Sequence, residues 1–198
     1  IAQDLHDDLG SDLTEISFLG VLGRTDAGIP ADVRTRFDGI TQRARNMTRG
    51  LDEIVWAVNP ANDSLASTVN YVCSRVLERS RAAEVDCHLE VAAELPVLVL
   101  SSNQRHNVLM AVTEAVTNVI KHSRAAEIWL RVRIERDCLM ICVEDNGRGF
   151  EPEQANGMRN GLANMRQRCE QLGGKLQIES IPGSGAKVTF HLPLKSVD

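Results

Sequence analysis

The sequence is short of aromatic side chains, of positive charge and of long apolar runs, and each shortage excludes something. Aromatics make up 4% of the 198 residues, so any core must be aliphatic, built mainly from Leu, Val, Ile and Ala. Lys and Arg number 22 against 27 Asp and Glu, a formal net charge of −5. Coating nucleic-acid phosphates needs a clustered positive surplus, so direct nucleic-acid binding is not expected, although a local anion pocket is compatible with this balance. No apolar run approaches the roughly 20 residues of a membrane-spanning helix. The longest, Pro96-Val97-Leu98-Val99-Leu100, predicts at most a buried strand. Five cysteines, Cys73, Cys87, Cys138, Cys142 and Cys169, are odd in number, scattered and without Cys-x-x-Cys spacing. They predict reduced thiols packed like small apolar residues, in a cytosolic setting. The chain opens on Ile1 with no basic or apolar leader after it, which predicts no signal peptide and a chain that is part of a longer one.

What is present falls into two halves of different period. From Val33, apolar residues recur at Phe37, Ile40, Ala44, Met47, Leu51, Ile54 and Val58 in steps of four and three, a heptad seam. Ala2, Leu5, Leu9, Asp12, Ile16 and Leu19 repeat that spacing with one polar position, and Gly23, Asp26, Gly28 and Pro30 lie between as turn residues. The expectation is an antiparallel helical hairpin. Two narrow seams cannot enclose a core alone, so a second copy is expected to complete a four-helix bundle about a two-fold axis. Packing of the hairpin on the rest of the same chain is the alternative.

Asn59-Pro60 ends the second helix, because proline disfavours helical geometry in the residue before it. Asp63 or Ser64 can cap a further amphipathic helix through Leu65, Val69, Val72 and Val76. Beyond residue 84 the period becomes two, in Val85 to Val91, Ile128 to Ile134, Leu139 to Val143 and Ala186 to Leu192. Helical patterns at about Ser102 to His122 and Gly161 to Leu172 separate these strands, and Arg136-Asp137 and Pro182-Gly183-Ser184-Gly185 supply tight turns. The predicted class is α+β: a helical hairpin over residues 1–60, then a sandwich over 61–198 with a mixed sheet and helices on one face.

Three features carry chemistry. A 100° wheel puts Leu109, Val112, Val116, Val119 and Ile120 on one side of a helix, and Glu114, Asn118 and Lys121 on the other. Such a trio is usually a solvated face, yet the amide oxygen of Asn118 is a suitable hard ligand for Mg²⁺. Glu144-Asp145-Asn146-Gly147-Arg148-Gly149-Phe150 follows an apolar strand. Its glycines let a ligand approach the backbone, and its acid can accept from an exocyclic amine, although Asp-Asn-Gly is also an ordinary turn. Gly157-Met158-Arg159-Asn160-Gly161-Leu162 opens a helix, where backbone N–H groups attract anions unless the segment is only a loop with an Asn cap. The polar stretch from Glu151 to Asn160 reads as a mobile lid.

In order, Glu-x3-Asn-x2-Lys-His, Asp-x-Gly-x-Gly, Gly-Leu opening a helix, and Gly-Ser-Gly-Ala-Lys-Val-Thr-Phe resemble the Bergerat-type ATP-binding fold of histidine kinases, gyrase, Hsp90 and MutL. The resemblance covers about residues 64–194. It implies ATP and Mg²⁺ as ligands, with Asn118 on the metal and Glu114 and Lys121 near metal and phosphates. It likewise implies Asp145 on adenine N6, Gly147 and Gly149 shaping the base pocket, and Gly161 starting a helix that closes over the phosphates. Gly157, Leu162 and Thr189 are carried with these motifs as nucleotide-binding positions.

Ile1-Ala2-Gln3-Asp4-Leu5-His6-Asp7-Asp8-Leu9-Gly10 resembles the phosphoacceptor box of two-component sensor histidine kinases of the nitrate-sensor-like subfamily, and Leu51 to Pro60 resembles the end of its second bundle helix. His6 lies roughly 90° from the seam, on the exposed shoulder of the bundle, and Gly10 one turn on leaves space beside it. The resemblance implies autophosphorylation of His6, whose neutral imidazole (reference pKa about 6.5) is the nucleophile. Transfer to an aspartate of a response-regulator receiver domain follows, from a cytoplasmic homodimer belonging to a membrane sensor. Asp7 inherits a base-like or orienting role, although side chains of adjacent helical residues diverge by about 100°. A nucleotide-operated ATPase or clamp and a silent dimerisation module are the alternatives. One departure stands out: Ser11 occupies the position four after Asp7 where the subfamily often has glutamine, which predicts weak phosphatase activity.

Overall fold

The computed structural model describes residues 2–25, 28–151 and 160–194, and the side chains of all of these except 2–7 and 160. It separates into two compact units, Ile1–Pro60 and Ala61–Asp198.

The first unit is a hairpin of α1 (Ala2–Thr25) and α2 (Ala31–Val58). The second helix stops where Asn59, preceding Pro60, takes up an extended ψ of 120°. Side chains small enough for close approach bring the two helices together. Gly20 lies against the Thr41 hydroxyl and Gly23 against the ring of Phe37, with no room for a Cβ at either. Thr41 and Ala44 are buried. The heptad seam of α2 therefore divides: Phe37 and Ala44 turn inward, while Ile40, Met47, Ile54 and Val58 do not. With Leu9, Ile16 and Leu19 of α1, these four remain between 41% and 61% exposed.

The second unit begins with a 3₁₀ turn (Pro60–Asn62) and α3 (Leu65–Ala82). Ser64 is the cap; its Oγ accepts from Ser67 N at 3.0 Å. There follow β1 (Asp86–Val91), α4 (Ser102–Asn118), a π-helical turn (Val119–Ser123), β2 (Glu127–Glu135), β3 (Cys138–Asp145), α5 (Asn160–Gln171), β4 (Lys175–Ser180) and β5 (Ala186–Pro193). α4 starts in a capping box, Ser101 and Gln104 satisfying each other's backbone N–H groups. The sheet order is β1-β2-β3-β5-β4, with β1 and β2 parallel and the other pairs antiparallel. Arg136 and Asp137 turn β2 into β3 with positive φ at both positions, the geometry a two-residue hairpin requires.

All three helices lie on one face, α3 over β1 and β2, α4 over β3, and α5 over β4 and β5. Alternation sends Ile128, Leu130, Val132, Ile141, Val143 and Phe190 into that layer, each at most 1% exposed. Their neighbours Trp129, Arg131, Met140, Glu144, Lys187 and Thr189 point to the other side. There Arg131 joins Glu90 at 3.0 Å and also Glu144.

Two expectations are corrected. Pro96 to Leu100 is no buried strand: only Val99 pairs, in a single bridge to Ser64, and Val97 is fully exposed. Its partner is the short cap segment of α3, through Leu65 N to Leu98 O and Leu100 N to Asp63 O, too brief to build a ladder. Conversely β4 is a strand that the sequence analysis passes over, because its two inward apolar residues, Leu176 and Ile178, sit at a sheet edge among charges. The five thiols are free, and burial raises Cys73, Cys87 and Cys138 and pushes Cys169 up to about 11. They pack as inert small groups.

Candidate functional site

The site is built around the end of β3. Asp145 continues the inward row of Ile141 and Val143 and pairs with Ala186, so its carboxylate enters the layer between sheet and helices and is only 6% exposed. Burial raises its pKa, against the hydrogen bonds from the Gly147 N–H, the Ser123 hydroxyl and the Ala186 backbone. The Gly147 bond is 2.8 Å to Oδ1. Asn146 anchors the turn on the other side, its Oδ1 accepting from Ala126 N and Glu127 N at 3.0 Å each.

The glycines answer to close backbone approach. A Cβ at Gly147 would collide with the carbonyl and side chain of Ser123. Gly149 has φ +58° and lies against the carbonyls of Ile181 and Gly185, a conformation and a clearance that only glycine meets. The loop is further held by Arg148 N donating to Ser123 O at 2.8 Å and Gly183 N donating to Arg148 O at 2.6 Å.

These elements enclose a cleft of about 320 Å³, within the size range of small-molecule pockets. Of the residues singled out in the sequence, Asn118, Asp145, Gly149 and Leu162 line it. The walls are otherwise largely aliphatic, with Ala115, Val143 and Val188 among them. A flat heteroaromatic ring suits such walls, and a buried carboxylate at its edge suits an amine on that ring.

His122, Ser123, Arg148 and Phe150, to which the sequence motifs assign no role, also line the cleft. The first two enter it because the helix changes winding. In the π turn, hydrogen bonds run to i+5, so a full turn after Asn118 falls between His122 and Ser123. One reading of the wheel is corrected: Asn118 and Val119, put on opposite sides, both line the cleft. Lys121 is exposed, on the polar side where the wheel puts it, and off the lining.

Thr189 is a second correction. Val188 faces the cleft, so alternation turns Thr189 to the opposite side of the sheet, beside Cys142 and Gln177. Glu114, one turn before Asn118, sets its carboxylate against Gly161 at the start of α5. Gly157 lies outside the described residues, as do the side chains of His6 and Asp7, whose backbone belongs to α1. One turn further along α1, a Cβ at Gly10 would meet nothing within 4 Å. Ser11 is exposed, in a groove with Thr14, Phe18, Thr48 and Asp52.

A mixed sheet with helices on one face, and a buried acid and an asparagine sharing an apolar cleft, define a Bergerat-type nucleotide-binding sandwich. Residues 103–196 match the family described as histidine kinase-, DNA gyrase B-, and HSP90-like ATPase. A sensor-like histidine kinase of Chloroflexus aurantiacus is 26% identical over 211 residues, covering 99% of this chain and 34% of that protein. The kinase/phosphatase DegS of Bacillus subtilis is 37% identical over 84 residues, covering 41% of this chain and 22% of that one. Among solved structures, the histidine kinase domain of the Erythrobacter litoralis blue-light activated kinase EL346 shares the fold, with TM-score 0.61, 17% identity and coverage of 96% and 94%. So does full-length ShkA in complex with AMPPNP, with TM-score 0.60, 15% identity and coverage of 97% and 45%. The chain is thus similar over nearly its whole length to sensor histidine kinases, and its second unit carries the ATPase domain that the family describes. It spans about a third or less of the length of the curated relatives it matches, and no helix among the described residues is long and apolar enough to cross a membrane.

Proposed function

We propose that this chain is the catalytic core of a two-component sensor kinase. It binds ATP with Mg²⁺ in the cleft of residues 61–198, phosphorylates His6 of the 1–60 hairpin, and passes the phosphoryl group to an aspartate of a response-regulator receiver domain. One observation carries the reading: a cleft with a buried acid and an asparagine sits in one chain with a helical hairpin bearing His6-Asp7-x-Leu-Gly. The exposed row of Leu9, Ile16, Leu19, Ile40, Met47, Ile54 and Val58 supports pairing with a second copy, since an uncovered stripe of that length is a partner surface. The setting proposed is the cytoplasmic side of a membrane sensor.

In this reading Asp145 accepts from the adenine amine, while Ala115, Val143, Val188 and Leu162 exclude water from the ring. Gly147 and Gly149 let the backbone close on the base. Among the described residues no group of three or more His, Cys, Asp and Glu could hold a metal ion. Asn118 would therefore give Mg²⁺ one oxygen, with phosphates and water giving the rest, as is usual for that ion. Bound there, the ion would neutralise phosphate charge. Lys121 reaches the phosphates from the exposed side by extending its flexible stem, and Glu114 lies at the phosphate end beside α5. The His6 ring nitrogen forms a bond to the γ-phosphorus as the bond to the bridging oxygen breaks and ADP leaves. The other ring nitrogen gives up its proton to a base, the role that the resemblance carries over to the Asp7 carboxylate.

The test is incubation of the chain with γ-labelled ATP and Mg²⁺. Label that stays on the protein in alkali and leaves in acid supports a histidine kinase. Release of inorganic phosphate with no protein label would instead make Glu114 the activator of water and the chain an ATPase or clamp.

A further inference from the structure

Gly161 is in the wrong place for a glycine, judged by its backbone. It is the second residue of a twelve-residue helix, and glycine is a weaker helix former than alanine, by about 1 kcal/mol in a helix interior. Nor is it among the glycines with positive φ, which among the described residues are Gly149, Gly173, Gly183 and Gly185, so nothing in its conformation excludes a side chain. What excludes one is a neighbour. The three heavy atoms nearest to a Cβ at this position are Oε1, Cδ and Cγ of Glu114, the latter two at 3.2 and 3.6 Å. The space left by the missing methyl group is a seat for one carboxylate. Its surroundings are those of the cleft: Asn118 lies one turn along α4 from Glu114, Leu162 directly follows Gly161, and both line the pocket.

We propose that Gly161 is a positioning residue for phosphoryl transfer, which acts by leaving room for the Glu114 carboxylate at the start of α5. The proposal rests on the reading above, in which Glu114 works at the phosphate end of the site. It gives the glycine a task other than flexibility. A methyl group here forces the carboxylate aside while the helix itself gains.

The atom that would have to move is the far end of a flexible side chain, so Gly161→Ala is expected to fold and to bind ADP with unchanged affinity. Its rate of His6 phosphorylation at saturating ATP is expected to fall about tenfold to a hundredfold, as misplacing a reacting group by an ångström does. Adding Glu114→Asp, one methylene shorter, withdraws the carboxylate from the new methyl group, and the double variant should be faster than Gly161→Ala alone. A wild-type rate in Gly161→Ala overturns the proposal. So does a loss of ADP affinity that Glu114→Asp leaves unrepaired, because that is the signature of a closing helix that needs a hinge. Glu114→Gln in the unaltered chain separates the two layers of the argument. If it is slow while Gly161→Ala is fast, the positioning proposal alone fails; if it is as fast as wild type, the reading of Glu114 fails with it.

Discussion

The two units solve the burial problem in different ways. The sandwich encloses Phe190, Leu109, Ile128, Leu130 and Ile141 completely within its own chain. The hairpin joins its helices through Gly20, Gly23, Phe37, Thr41 and Ala44 and leaves Leu9, Ile16, Leu19, Ile40, Met47 and Ile54 exposed. So long an exposed apolar row leaves room for a partner that the chain's own hairpin does not supply. On the proposed reading the sandwich is the unit for ligand binding, and the hairpin is half of a dimer joint.

The largest break in that division is expected from His6→Gln. It should abolish all acid-labile label while dimerisation and ADP affinity stay as in the wild type, because His6 lies off the apolar stripe. Label that persists would move the acceptor elsewhere. Next in size is Met47→Asp combined with Ile54→Asp. Burying one such side chain is worth about 1.5–3 kcal/mol, and each dimer holds two copies of each. Sedimentation equilibrium should therefore show a dimer dissociation constant raised at least about a hundredfold, with ADP affinity unchanged. A double variant that stays dimeric would mean that the stripe serves some other contact.

Asp145→Asn should weaken ADP binding about tenfold to a hundredfold, since a hydrogen bond to a charged group is worth roughly 1.5–3 kcal/mol. Its pH dependence adds a sign. Burial raises the Asp145 pKa, so the carboxylate takes up its proton at a higher pH than an ordinary aspartate, and ADP affinity falls as pH drops through that raised value. The ligand-free fold shows the reverse. Its penalty for a buried charge is full above the folded pKa and vanishes below the unfolded one, so Asp145→Asn should raise the melting temperature at neutral pH. Calorimetry on the ligand-free variant checks this, and a lowered midpoint counts against it. The smallest effect is expected from Ser11→Gln, a measurable gain in dephosphorylation of the phosphorylated regulator. The serine hydroxyl lies nearer the backbone than a glutamine amide and falls short of the same water. Fast decay with the unaltered chain, or no change in the variant, removes the argument.

Much of this organisation was legible because it is periodic. Heptad spacing marks both hairpin helices, and period two marks β2, β3 and β5, whose inner faces are continuous apolar rows. The short edge strand β4 escapes notice because an edge needs few apolar residues. Asn118, Asp145, Gly149 and Leu162 could be placed at one cleft from the order of their motifs. His122 and Ser123 were not placed there because a wheel assumes constant winding, and no residue type announces the π turn at Val119. Thr189 was misplaced although the means to place it were at hand: Val188, Phe190 and Leu192 face the core, so the residue between the first two cannot. The division of the α2 seam is invisible for a different reason. One spacing serves both a partner helix in the same chain and a face left for another.

The uncovered stripe bears on heredity. A chain with His6→Gln keeps Leu9, Ile16, Ile40 and Ile54, so it competes for partners as well as an intact chain does. Expressed at equal dose, random pairing through a two-fold interface leaves only about a quarter of the pairs free of the defective copy. A mixed pair still holds one His6 and two intact ATP-binding units, so it is expected to carry one phosphorylated site where an intact pair carries two. A cell without the defective copy keeps every pair intact.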